Sequence, residues 1–340
     1  NVSWNYYIKN KSIEIQKILA ENIEKSLGKN KESGFLIALT LGDRSGVDYE
    51  IINQFSNTGL IHVLAVSGLH VGIIFGIISF VLNRLKCNKN LSSAISILVL
   101  WVFALISGFS PSVIRAAIMF SFLVFGQSIK KKGQSLNFLS ASAILQLVID
   151  PAILFQPGFQ LSYSAVLGIL VFQKSFSGNY RHPNFIMEQI KSMTSVTLSA
   201  QLSTLGFCLY HFKQFPVYFL ISNLLILPII PVFLIIGICG TFLHYLPYRD
   251  EISEWIINPF TRFLLFSIEQ LSHLPESVIY FPNFGYIDFV LISVMIILIK
   301  YGIEFGWNYI IKYQIILLIL FQLNPIYQSI LNKKNYQVYG

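Results

Sequence analysis

The chain has 340 residues, of which 54% are hydrophobic and 12% charged, against roughly 25% charged in an ordinary soluble domain. With 29 Phe, 17 Tyr and 4 Trp and a mean hydropathy of +0.63, a water-soluble enzyme is excluded and an integral membrane protein is expected. The net charge of +8 fits nucleic acid, anionic lipid or cytoplasmic loops equally, so its sign does not choose a partner.

The chain opens at Asn1 without a Met, and residues 1–33 are polar with no signal-peptide pattern, so a longer parent is expected. Residues 12–27 place Ile15, Leu19, Ile23 and Leu27 at i, i+4 spacing and stop at Gly28, which predicts an amphipathic surface helix. Ser45 followed by Asp48 reads as a capping box for a second helix ending near Asn57, before Gly59. Residues 1–58 are therefore expected to form an amphipathic helical lead-in.

From Gly59 the sequence is a succession of apolar stretches long enough to cross roughly 30 Å of hydrocarbon. Spans are predicted near 60–82, 91–108, 112–129, 136–155, 159–176, 193–212, 215–243, 252–274, 286–306 and 308–323. Lys300, Glu304 and Lys312 interrupt the last two, so the count is nine or ten. Pro216, Pro228 and Pro231 break the 215–243 stretch, which predicts a kinked or re-entrant helix. The expected fold class is an all-α polytopic membrane protein, with 59–323 as the transmembrane domain and 324–340 as a polar tail.

Loops after the first, third and fifth spans carry Arg84, Lys86, Lys89, Lys130, Lys131, Lys132, Lys174, Arg181 and Lys191, whereas those after the second, fourth and sixth carry only Lys213. The positive-inside rule puts the former in the cytoplasm and the N-terminus outside. Cys87, Cys208 and Cys239 are far apart, which gives neither a disulfide framework nor a metal spacing.

Three segments concentrate polar residues. The first span holds His62, Ser67 and His70, with Gly68, Gly72 and Gly76 at four-residue spacing. Such a strip lets a helix or a substrate strand approach the backbone closely. On an unbroken helix, His62 lies about 80° around from His70. Two histidines and a hydroxyl can bind a phosphate, relay a proton or ligate a metal, but without a Cys or carboxylate they make a poor metal site, and no metal is expected. In SGFSPSVIRAAIM (107–119), Ser110 caps a helix that Pro111 begins, with Arg115 one turn inside. A helix N-terminus attracts anions, and an ionisable residue within a span points to function unless it snorkels to the interface. In DPAILFQPGFQLSYSAVLG (150–168), Pro151, Pro157 and Gly158 mark a turn, and Gln160, Ser162, Tyr163 and Ser164 open the next span with polar groups. Gln201, Ser203, Thr204 and Asn223 repeat the pattern in later spans. Polar groups in so many spans favour a lined pathway over a lipid-facing bundle.

HVLAVSGLHVG (62–72), SGFSPSVIRAAIM (107–119) and FQPGFQLSYSAVLGIL (155–170), preceded by LGDRSG (41–46) and FSNTGLIH (55–62), resemble the signature segments of the ComEC family of competence channel proteins over about residues 35–240. The resemblance implies a multi-pass protein of the bacterial inner membrane through which single-stranded transforming DNA enters the cytoplasm. It makes His62, Ser67, His70, Arg115, Gln160 and Ser162 candidates for the DNA pathway, with Gly68, Gly72 and Gly76 as helix-packing positions. The partners it implies are single-stranded DNA, an extracytoplasmic DNA receptor, a cytoplasmic helicase-type ATPase, the lipid bilayer and a second copy of the chain. Many members also carry an extracytoplasmic OB-like domain and a metallo-β-lactamase-like domain. Neither is visible here: no H-x-H-x-D-H run occurs, so no nuclease activity and no cofactor are expected.

Two other readings stay open on the residues alone. A secondary transporter can use the glycine strip and the broken 215–243 helix as a midplane site. A membrane enzyme can use Ser67 and His70 as nucleophile and base, although no acidic third member is nearby.

Overall fold

The computed structural model describes residues 4–128, 135–178, 182–243, 249–307 and 310–322. Within them a helix occupies each of the ten stretches where a span is expected. They run as α1 (Trp4–Leu27), α2 (Lys31–Leu41), α3 (Tyr49–Asn57), α4 (Ile61–Leu64), α5 (Gly68–Arg84), α6 (Lys89–Ile106), α7 (Pro111–Ser128), α8 (Ser135–Ile149), α9 (Pro157–Ser177), α10 (Phe185–Phe212), α11 (Phe219–Ile226), α12 (Ile230–Leu243), α13 (Arg249–Ile252), α14 (Asn258–Ser272) and α15 (Tyr286–Phe305). A last helix, α16, covers Ile311–Gln322. A 3-10 turn at Pro151–Phe155 precedes α9, and a π-helical turn at Ser253–Ile257 joins α13 to α14. One short two-stranded sheet pairs β1 (Gln214–Pro216) with β2 (Val278–Tyr280).

Helices α6 and α15 are each long and apolar enough to span a membrane, and α11 with α12 passes as one unit bent by 52°. That bend is the kink expected from Pro228 and Pro231. Gly68–Arg84, Pro111–Gly126, Ser135–Ile149 and Ile311–Gln322 are apolar but shorter. On α15 the exposed Val290, Val294, Ile297 and Tyr301 recur at helical spacing and form an apolar stripe suited to lipid. Leu98 and Val102 do the same on α6. Helices with such faces define an all-α membrane protein.

The described chain forms two compact units. The first joins Asn1–Ser162 to Pro216–Ser277, and the second joins Tyr163–Phe215 to Val278–Gly340. The main core of the first is built from α1, α2, α3, α12 and α14, with Phe35 against Phe55 and Phe233, and Phe233 stacked on Phe260 at 4.8 Å. Helix α2, KESGFLIALTL, is buried from Glu32 to Leu41. It is apolar around its whole circumference, which is how a fully enclosed helix reads, and at 11 residues it is too short to register as a span. A capping box starts it: Asn30 Oδ1 accepts from Ser33 N at 2.8 Å, and Asn30 N donates to Ser33 Oγ at 3.1 Å. Gly42 ends it at φ 84°, a conformation that glycine adopts without strain.

The lead-in is therefore part of the core. Helix α1 buries Ala20, Ile23 and Leu27; its Ser26 Oγ donates to the Gly240 carbonyl at 3.0 Å, and Gln16 Nε2 to that of Leu41 at 2.7 Å. Ser45 does not cap α3: Asp48 holds the N-cap position without a side-chain cap bond. Ser45 N donates instead to Asp43 Oδ1 at 2.9 Å, because an Asx turn competes for the same donor.

In the second unit, α9 and α10 cross closely at Gly168, and α10 packs on α15 around Gly206 and Phe289. Lys300, which interrupts a predicted span, donates to the Val171 carbonyl at 2.9 Å and pairs with Glu304 at 2.9 Å. The charge is thus satisfied without leaving the helix.

Candidate functional site

The first polar segment is not an unbroken helix. Helix α4 ends at Leu64, Ala65 and Ser67 are extended, and α5 starts at Gly68. Ser67 is the N-cap of α5 and His70 its third residue. Leu69 N donates to Ser67 Oγ at 3.3 Å, and Ser67 N donates to His70 Nδ1 at 3.2 Å. This is a capping box with histidine in the place usually held by Glu or Gln. Because Nδ1 accepts, the neutral imidazole carries its proton on Nε2. His70 is fully buried, and its Nε2 has no partner within the protein.

Ser67 Oγ also lies 3.2 Å from His70 Nδ1, but both atoms are engaged in starting the helix. Replacing Ser67 by Ala is expected to cost about 1 kcal/mol in a denaturation measurement, the usual value of an N-cap. His62 sits on α4, exposed, with Nδ1 3.0 Å from the Gly59 carbonyl. The 80° separation assumed for a continuous helix does not apply.

Helix α7 begins beside α5. Ser112 Oγ donates to the Val66 carbonyl at 2.6 Å, tying the extended break to the first turn of α7. A Cβ on Gly68 would meet Ala116 at 3.7 Å, and one on Gly72 would meet Phe120 at 3.2 Å. Numbers rise together on both helices, so α5 and α7 run parallel, with Gly68 at the start of α5 beside the second turn of α7. At Gly76 a Cβ would meet nothing within 4 Å, so the strip touches α7 through its first two glycines and not the third. Gly72→Leu is expected to force Phe120 aside and lower thermal stability in detergent, with a cost of about 1–3 kcal/mol.

Arg115, on the second turn of α7, is 9% exposed. Its Nε is 3.4 Å from Ser162 Oγ, and a Cβ on Gly158 would stand only 2.8 Å from its Nη2. The guanidinium therefore lies against the opening turns of α9, and a side chain at 158 would push its end aside. Thus α5, α7 and α9 all begin at one end, with Arg115 between two of them. Helix starts present free N–H groups and the positive end of the dipole. Three such starts near a guanidinium are a setting that attracts an anion. Gln160 Nε2 donates to the Leu154 carbonyl at 3.0 Å, which fastens α9 to the preceding 3-10 turn.

The structure thus brings Ser67, His70, Arg115 and Ser162 to the starts of α5, α7 and α9, and sets His62 on the separate α4. Gly158 was legible only as a turn residue, and its contact with Arg115 depends on tertiary placement. Among the described residues no group of three or more His, Cys, Asp or Glu comes together. Cys87, Cys208 and Cys239 carry free thiols.

Apolar helices, a bent pair and polar side chains gathered at helix starts describe a multi-helix membrane protein. The chain belongs to the competence protein family, whose model matches residues 39–305. It is 30% identical over 240 residues to ComE operon protein 3 of Bacillus subtilis (strain 168), covering 67% of this chain and 30% of that protein. It is 26% identical over 194 residues to Recombination protein 2 of Haemophilus influenzae, covering 54% of this chain and 24% of that protein. An uncharacterized protein of Aquifex aeolicus is 32% identical over 166 residues, covering 48% of this chain and 39% of that protein. The chain thus matches less than half the length of each of these relatives. No solved structure matches it.

Proposed function

We propose that this chain is the membrane part of a conduit that admits single-stranded DNA into the bacterial cytoplasm, with its N-terminal segment on the outer side of the inner membrane. Membership of the competence protein family over residues 39–305 carries the reading. A strand bears one charge per nucleotide and cannot cross hydrocarbon unless a wet, protein-lined route replaces its hydration. The starts of α5, α7 and α9, with Arg115, supply donors of the kind that phosphates take, and the lysine-poor loops before α7 and α9 support an outer-face position, where a strand arrives. Contacts there must be few and exchangeable for the strand to move on.

The chain acts as a conduit and not as an enzyme: Ser67 and His70, the pair that resembles a nucleophile and base, are committed to a helix cap. The strand is delivered by an extracytoplasmic receptor and drawn inward by a separate ATPase.

Deleting the gene in its native host and following labelled double-stranded DNA tests this. Label is expected to stay outside the inner membrane and to enter again when the wild-type gene is restored; normal entry without the gene would overturn the reading. The orientation is tested separately. Cysteines introduced at the exposed Lys89 and Lys174 should react with an impermeant thiol reagent from the cytoplasmic side only. Lys131 and Arg181, which argue for the same orientation, lie outside the described residues.

A further inference from the structure

The α11–α12 break carries two adjacent unsatisfied polar atoms, remote in sequence from the capping site. Ser222 is fully buried and Asn223 is 8% exposed, and neither Ser222 Oγ nor Asn223 Oδ1 has a hydrogen-bond partner. Both stand on α11 within two turns of the break. Buried polar atoms are nearly always paired, and in a membrane no bulk water repairs the loss. Two adjacent exceptions on one short helix therefore need a cause.

The backbone adds to the set. In a helix the carbonyl of residue i accepts from the N–H of residue i+4. For Leu224 that residue is Pro228, and for Leu227 it is Pro231. Proline has no N–H to give, so neither carbonyl can have its helical donor. Their neighbours are served: Asn223 O accepts from Leu227 N at 3.0 Å, Ile226 O from Ile229 N at 3.0 Å, and Ile229 O from Val232 N at 3.0 Å. Leu224 and Leu227 thus lose their helical donors beside Ser222 and Asn223. Residues 222–227 span only about 7.5 Å of helix rise.

All four atoms are neutral oxygens: a hydroxyl, an amide carbonyl and two peptide carbonyls. An anion would call for N–H groups or a basic side chain, and a divalent metal for carboxylates. An alkali-metal cation is held by neutral oxygens of this kind, including unwound carbonyls at the C-terminal end of a half-helix, where the dipole is negative. We infer that the α11–α12 break binds a monovalent alkali cation, Na+ or K+, through Ser222, Asn223 and the carbonyls of Leu224 and Leu227. The site offers a place where an ion gradient acts on the bent helix, and it stands independently of the DNA reading.

The test uses the full chain purified into lipid nanodiscs. Thermal midpoints are measured across a series of NaCl and KCl concentrations, with choline chloride keeping ionic strength constant, and binding of radioactive sodium is measured directly. Wild type is expected to show a saturable rise in midpoint with Na+ or K+ but none with choline. Asn223→Leu keeps the volume and removes the oxygen, and Ser222→Ala removes one hydroxyl at little structural cost. Each should weaken the ion's apparent affinity at least tenfold. Identical behaviour of wild type in all three salts, with no radioactive sodium bound, would overturn the inference. So would unchanged affinity in Ser222→Ala, which decides the matter even if Asn223→Leu fails to fold. DNA entry is not read in this experiment, so either result leaves the proposed conduit to its own test.

Discussion

Arg115→Ala is expected to leave the protein inserted in the membrane and to lower entry of labelled DNA by roughly 10- to 150-fold. The figure follows from about 1.5–3 kcal/mol for a hydrogen bond to a charged group, at 1.4 kcal/mol per factor of ten. The guanidinium is buried against Gly158 and within reach of Ser162, so its removal takes a side-chain cation from between the starts of α7 and α9. Arg115→Lys keeps the charge but loses the planar fork that meets two acceptors at once, and should fall between wild type and Arg115→Ala. Gly158→Ala puts a methyl group 2.8 Å from Nη2 and so pushes the flexible end of the arginine aside. It should therefore lower entry as well. Entry at the wild-type level in Arg115→Ala, with normal amounts of protein, would reduce Arg115 to a structural anchor.

The second large effect concerns packing. A Cβ on Gly168 would stand 2.1 Å from Ser203 Oγ and 2.5 Å from the Ser199 carbonyl oxygen. Ser203 can turn away, but the Ser199 carbonyl is helix backbone and cannot. Gly168→Ala should force α9 and α10 apart and lower stability in detergent by about 1–3 kcal/mol, the usual cost of overpacking. Gly76→Ala is the matched control. It has open space for its methyl group, and Ala is favoured over Gly in a helix by about 1 kcal/mol, so it should be neutral or stabilising. Equal stability of the two variants would contradict the α9–α10 crossing.

These two glycines show where sequence reading ends. Four-residue spacing singled out Gly68, Gly72 and Gly76, yet Gly76 faces open space while Gly168, with no such spacing, sits in the tightest part of its unit. Spacing reports which residues share a face; it does not report what that face meets. The membrane class, the helical stretches and the kink at Pro228 and Pro231 were legible, because hydropathy and proline act locally. Helix α2 was not, since an 11-residue apolar run carries neither amphipathic period nor span length. The break before Ser67 was also hidden. His70 satisfies Ser67 N at 3.2 Å, a role that Glu or Gln usually announces, and the apolar residues on either side read as one continuous span. Arg115 was legible as a candidate because a charge in a span is rare, but Gly158 became its partner only through the tertiary contact of α7 with α9.

The central claim is that the strand passes the end formed by α5, α7 and α9, and the most direct test is to crosslink it in transit. A photoreactive amino acid is placed at Ser162, beside Arg115, or at Leu98, which is 63% exposed on the lipid-facing side of α6, and cells are illuminated while taking up labelled DNA. The account predicts covalent label on the protein from position 162 and none from position 98. Label from position 98 with none from 162 would contradict it and move the route to another face of the protein.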